Sequence, residues 1–120
     1  MTCLVILHGV KWLLDHSVFP FDSYLVEYGH DDENGFDIRA SQNGKTLVGE
    51  AFNVARSFFP NKKSAMLQKL RGPSVEADYK IIMFNHDAVG SGYVPKSNSG
   101  EFFIFVGVGS GESKMVPNLA

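Results

Sequence analysis

A chain of 120 residues, 44% apolar and 20% charged, suffices for one domain that buries a core without disulfides or a structural metal. Its single cysteine, Cys3, excludes an internal disulfide and a cysteine-based zinc site, so a reducing, intracellular compartment is the expectation. The net charge of -2 excludes little, but its distribution is uneven: seven acids and no Lys or Arg lie between Asp15 and Asp37, and five bases and no acid between Asn53 and Gly72.

The opening, MTCLVILHGVKWLLDH, lacks the basic start and small-residue cleavage site of a signal peptide, and it is too short to cross a bilayer. It reads as a core helix over residues 4–15, buried over much of its circumference, with Thr2 as N-cap; its abrupt start suggests a longer natural N-terminus. Residues 23–28, SYLVEY, are β-branched and aromatic between Pro20 and Gly29 and read as a strand. Two more strands, 36–42 and 45–54, flank Asn43-Gly44. Residues 60–71 form a helix that starts on Pro60, offers Ala65, Met66, Leu67 and Leu70 as its apolar face and stops at Gly72-Pro73. YKIIMF, 79–84, is an apolar strand buried on both faces, and EFFIFVGV, 101–108, is the last strand. A single globular domain over 1–108 and a flexible tail over 109–120 are therefore expected.

Asn43-Gly44-Lys45-Thr46 ends like a phosphate-binding loop, but Arg39 stands where that loop needs its first glycine. Asn-Gly between two strand-like runs is instead a type I′ hairpin signal, because both central residues need positive φ. A two-residue turn pairs Gln42 with Lys45, Ala40 with Leu47 and Ile38 with Gly49, and one step further sets Asp37 opposite Glu50. Partners across such a pair have Cβ atoms roughly 5 Å apart. Two facing carboxylates repel, so a shared proton, a cation from Lys or Arg, or a bound divalent metal is needed between them. Phe36, Ile38 and Ala40, with Leu47, Gly49 and Ala51, are expected on the opposite, core-facing side.

An α-β-β-β-α-β order with Asp37 at the start of its second strand and Glu50 within its third resembles the restriction-endonuclease-like superfamily, over residues 4–85. The likeness rests on FDIRA and GEAF, matched to the PD-(D/E)XK motif of its nucleases, with Phe36 in the Pro position and Phe52 in the Lys position. It implies an α+β, three-layer fold with a central mixed sheet between helices. It further implies that Asp37 and Glu50 hold Mg²⁺ or Mn²⁺, and that Lys62 or Lys63 of the following helix replaces the missing lysine. Arg56, Lys62, Lys63, Lys69 and Arg71 would then grip the phosphates of a nucleic acid, with Glu27 and His30 as accessory groups. Phosphodiester hydrolysis is the leading expectation. The rivals are an inactive nuclease-like fold serving as a binding or scaffolding module, with Asp37 paired to Arg39, Arg56 or a helix lysine, and an unrelated α+β homodimer joined through an exposed strand at 101–108.

The remaining polar residues read more plainly. GHDDENG, 29–35, lacks the spaced ligands of a calcium loop and reads as a polar hairpin loop. His86-Asp87 reads as a turn, His8 and His16 as packing or capping groups, and Cys3 as unreactive. Phe58-Phe59 and Phe102-Phe103 suit base stacking, or more simply a core.

Overall fold

The computed structural model describes residues 2–27, 35–108 and 112–118. In them, helix α1 (Thr2–Asp15) precedes strands β1 (Leu25–Val26), β2 (Ile38–Gln42) and β3 (Lys45–Phe52). A 3-10 turn (Arg56–Phe58) leads into helix α2 (Phe59–Leu70), and strands β4 (Tyr79–Asn85), β5 (Glu101–Val106) and β6 (Lys114–Val116) follow. The six strands form one mixed sheet in the order β1-β2-β3-β4-β5-β6. β3, β4 and β5 run parallel, whereas the β1-β2, β2-β3 and β5-β6 pairs are antiparallel. The architecture is therefore α+β, a mixed sheet with a helix on each face.

Alternation along the strands explains the two cores. Leu47 and Ala51 of β3, Ile81 and Met83 of β4, and Phe102, Ile104 and Val106 of β5 pack toward α1. Phe52, Ile82, Phe84, Phe103 and Phe105 point the other way, toward Phe59, Leu67 and Leu70 of α2. α1 buries the stripe Val5, Ile6, Gly9 and Leu13, at the three- and four-residue steps of a helix. Gly9 sits so close to the sheet that an added Cβ would lie 2.5 Å from Met83 Sδ. Leu4, Leu7 and Leu14 remain exposed, so α1 is buried along one side and not around much of its girth. No helix of the described residues is long and apolar enough to cross a membrane.

The hairpin turns at Asn43 (φ 51°) and Gly44 (φ 80°), both left-handed, as a type I′ turn requires. The register is Ile38 with Gly49, Ala40 with Leu47 and Gln42 with Lys45. Two expectations about the C-terminal part need correction. Residues 114–116, placed in a flexible tail, form β6, and Met115 is buried there. β5, expected as an exposed dimer edge, is buried along its whole length, because β4 and β6 occupy both of its edges and side chains cover both faces. Phe36, expected on the core face with Ile38, packs instead on the α2 side.

Candidate functional site

The site lies where β2 begins and β3 nears its end, on the face toward α2. Ile38 and Gly49 face α1, so their neighbours Asp37 and Glu50 face α2. The main-chain amide of Asp37 points at Glu50 Oε2, 3.4 Å away. The amide of Ala51 donates to Asp37 Oδ2 at 3.0 Å, which fixes the second carboxylate against the strand that carries the first. Glu50 is 2% exposed.

The cation that meets Glu50 comes from the last turn of α2. Lys69 Nζ forms an ion pair with Glu50 Oε1 and donates to the Gly35 carbonyl at 2.6 Å, with the Phe36 ring beside it. Helical side chains tilt toward the helix N-terminus, which carries Lys69 back along the sheet to the row of Glu50. Burial, followed by the hydrogen bond and negative charge of Asp37, pushes the Glu50 carboxyl up to about 7, while Lys69 pulls it down.

The other lysines named from the sequence do not reach the acids. Lys63 shares the stripe of Leu67 and Leu70, so it faces the sheet, donates to Tyr93 Oη at 2.9 Å and lies over the Tyr93 and Phe103 rings. Lys62 is exposed and has no hydrogen bond or ion pair among the described residues. The spacing that set Leu67 and Leu70 inward would have separated Lys63 from Lys69 in advance, since seven residues put Lys62 and Lys69 on one side of a helix. Phe52, in the position of the family lysine, is 1% exposed and packs against Phe59 and Phe84.

The five basic residues do not form one phosphate-gripping face. Arg71 makes a two-pronged pair with Glu101, each contact 2.7 Å, and this holds the Glu101 carboxyl below the usual carboxylate range. Arg56 Nε reaches the Asp87 carbonyl at 3.3 Å. Glu27 is exposed, and its amide donates to the Asp37 carbonyl at 2.9 Å, so its main chain, not its carboxylate, serves the site. His30, and the acidic loop apart from Gly35, lie outside the described residues. Arg39 has no partner among the described residues, so the pairing of Asp37 with Arg39 or Arg56 does not occur there.

Elsewhere the polar groups serve the fold. His86 and Asp87 fall in a 3-10 turn, and His86 Nδ1 lies 3.2 Å from the Glu112 carbonyl. Buried Asn85 bonds both the amide and the carbonyl of Val54 at 2.9 Å, tying the ends of β3 and β4 together. His16 Nδ1 lies 3.0 Å from the Trp12 carbonyl. Phe59, Phe102 and Phe103 are buried, which leaves Phe58, 66% exposed, as the free aromatic of those four.

Among the described residues no group of three or more His, Cys, Asp or Glu side chains is placed to hold a metal, and the acids that meet here, Asp37 and Glu50, are two. Hard oxygen donors in that number fit Mg²⁺, which keeps most of its waters and takes one or two carboxylates from protein. Comparison with known proteins finds no matching family model, curated protein or solved structure.

Proposed function

We propose that the chain is a divalent-metal-dependent phosphodiesterase of the restriction-endonuclease-like type, acting on nucleic acid. Asp37 and Glu50 are its metal ligands, and Lys69 takes the place of the motif lysine. The observation that carries this reading is the meeting of the two carboxylates with one lysine, drawn from three separate elements, at a largely buried point. When bound, Mg²⁺ or Mn²⁺ supplies a water acidic enough to ionise near neutral pH and a charge that offsets the one growing on a phosphate. Asp37, fixed by the Ala51 amide, provides a rigid ligand. Glu50 would hold the metal in its carboxylate form. Lys69 stands beside Glu50, where its ammonium would steady a non-bridging phosphate oxygen or orient the attacking water.

A second reading, a binding or scaffolding module without activity, is favoured by the same Lys69–Glu50 pair, which neutralises the acids without a metal. Calorimetric titration with Mn²⁺ and Mg²⁺ separates the two. The unaltered chain is expected to bind metal, with binding lost in Asp37→Asn and in Glu50→Gln. Lys69→Met is expected to keep the metal but to cleave oligonucleotides at least about a hundredfold more slowly. No heat at millimolar metal would sink the hydrolase reading and leave the module.

A further inference from the structure

α1 is apolar on both of its sides, and the sheet covers only one. Val5, Ile6, Gly9 and Leu13 are buried, while Leu4, Leu7 and Leu14 are 40%, 56% and 39% exposed. With 3.6 residues to a turn, Leu4, Leu7, Lys11 and Leu14 fall within about 80° of arc, opposite the buried stripe. Their steps of three, four and three residues are those of a seam between two helices. Gly9 points away from that seam, into the sheet. A helix apolar all round is one that has cover on every side.

The spacing of the seam fits a second copy of itself. Positions 4 and 14 lie five residues either side of Gly9, and positions 7 and 11 two either side. An antiparallel copy with its two-fold axis level with Gly9 therefore sets Leu4 against Leu14 and Leu7 against Lys11, and all four positions are met. Slid by one heptad in either direction, the copy meets only two of them. A two-fold interface needs a patch that complements itself, and this one does. The charges choose the same direction. α1 has no acid in its first turn and no base in its last, and Asp15 stands at its negative end. An antiparallel copy brings its positive end, at Thr2, nearly level with Asp15, whereas a parallel copy sets like ends together. Lys11 pairs with Asp15 on its own helix, which leaves its methylene stem to cover Leu7 of the copy. One such lysine in a seam fixes the register at a cost in strength.

We propose that the outer face of α1 joins two copies of this chain in an antiparallel, two-fold dimer. The inference stands apart from the phosphodiesterase reading. Asp37, Glu50 and Lys69 lie on the α2 side of the sheet, so pairing through α1 leaves both acid clusters open on the outer sides of the dimer. A two-heptad seam covers less than the roughly 800 Å² per partner of a standard interface, so a weak pair in the micromolar range is expected.

Sedimentation equilibrium between about 10 µM and about 1 mM protein tests it. The unaltered chain is expected to pass from monomer to dimer and no further. Leu7→Glu, which sets two carboxylates near the axis, is expected to weaken association at least about tenfold, and Lys11→Leu, which completes the apolar seam, to tighten it by at least as much. Both positions are exposed, and unchanged circular dichroism of the dilute variants checks that the fold is kept. Direction is read by disulfide trapping in a Cys3→Ser background, with the Leu4→Cys and Leu14→Cys chains mixed. The mixed 4–14 product is expected to dominate. A monomer at about 1 mM overturns the dimer and leaves the face to a different partner. A dimer that Leu7→Glu leaves intact, a Lys11→Leu chain that associates no more tightly than the parent, or a predominance of 4–4 and 14–14 products overturns it as well. So does assembly beyond the dimer, since a two-fold contact closes on itself.

Discussion

At the scale of single residues, Glu50 is the group whose charge is least settled. Asp37 and Lys69 face it, and burial together with Asp37 outweighs Lys69, so its carboxyl titrates at about 7 against 4.5 for a free side chain. A raised acid pKa means that the folded chain binds the proton more tightly than the unfolded one. The resulting stability is whole below about pH 4.5 and is lost as pH rises through 7. In metal-free buffer, unfolding free energy is expected to fall by about 3 kcal/mol between pH 4.5 and 7.5, and Glu50→Gln should remove most of that slope. Urea titrations across the range check this; an unaltered slope in the variant would assign the proton to another group. The facing of Asp37 and Glu50 was legible in the sequence because a two-residue turn leaves the register no freedom. Lys69 was not singled out, because the stripe of Leu67 and Leu70 sets Lys63 apart from the side of Lys62 and Lys69 but does not say which of those two lies level with an acid, which depends on how far along the sheet α2 sits.

Elements differ in how loudly they announce themselves. β4 and β5 carry the unbroken apolar runs 81–84 and 102–106, and α2 has a proline start and a glycine stop, so each is plain from its own residues. β6 has three residues and takes its structure from the edge of β5, which no window of sequence contains. The exposed leucines of α1 mislead in the opposite sense: they are as apolar as the buried ones, and only the approach of Gly9 to Met83 and Val106 shows which side docks. That approach yields a prediction for the element. Gly9→Val puts methyl groups into the space of the Met83 sulfur and should cost roughly 2–3 kcal/mol by overpacking, despite valine's better helix propensity. Chemical denaturation measures it, and a variant as stable as the parent would mean that α1 lifts from the sheet at little cost.

For the molecule as a whole, the two cores share one set of strands, so neither has a sheet of its own to fall back on. The radius of gyration, 13.2 Å, is that of a compact domain of this length. Unfolding is expected to be a single transition: the fluorescence of Trp12, which reports the α1 side, and far-ultraviolet circular dichroism, which reports the whole backbone, should give the same midpoint. Separated midpoints would show that the two faces melt independently. The order of the sheet, in which every strand lies beside the one that precedes it, has a bearing on synthesis. A ribosome releases strands in the sequence in which they pair, so each can be added to a finished edge without displacing another. Asp37, Glu50 and Lys69 have all emerged well before β5, which lends the cluster no side chain. The acids and their lysine can thus meet on a nascent chain while the hydrophobic strands that will shelter their support are still being made.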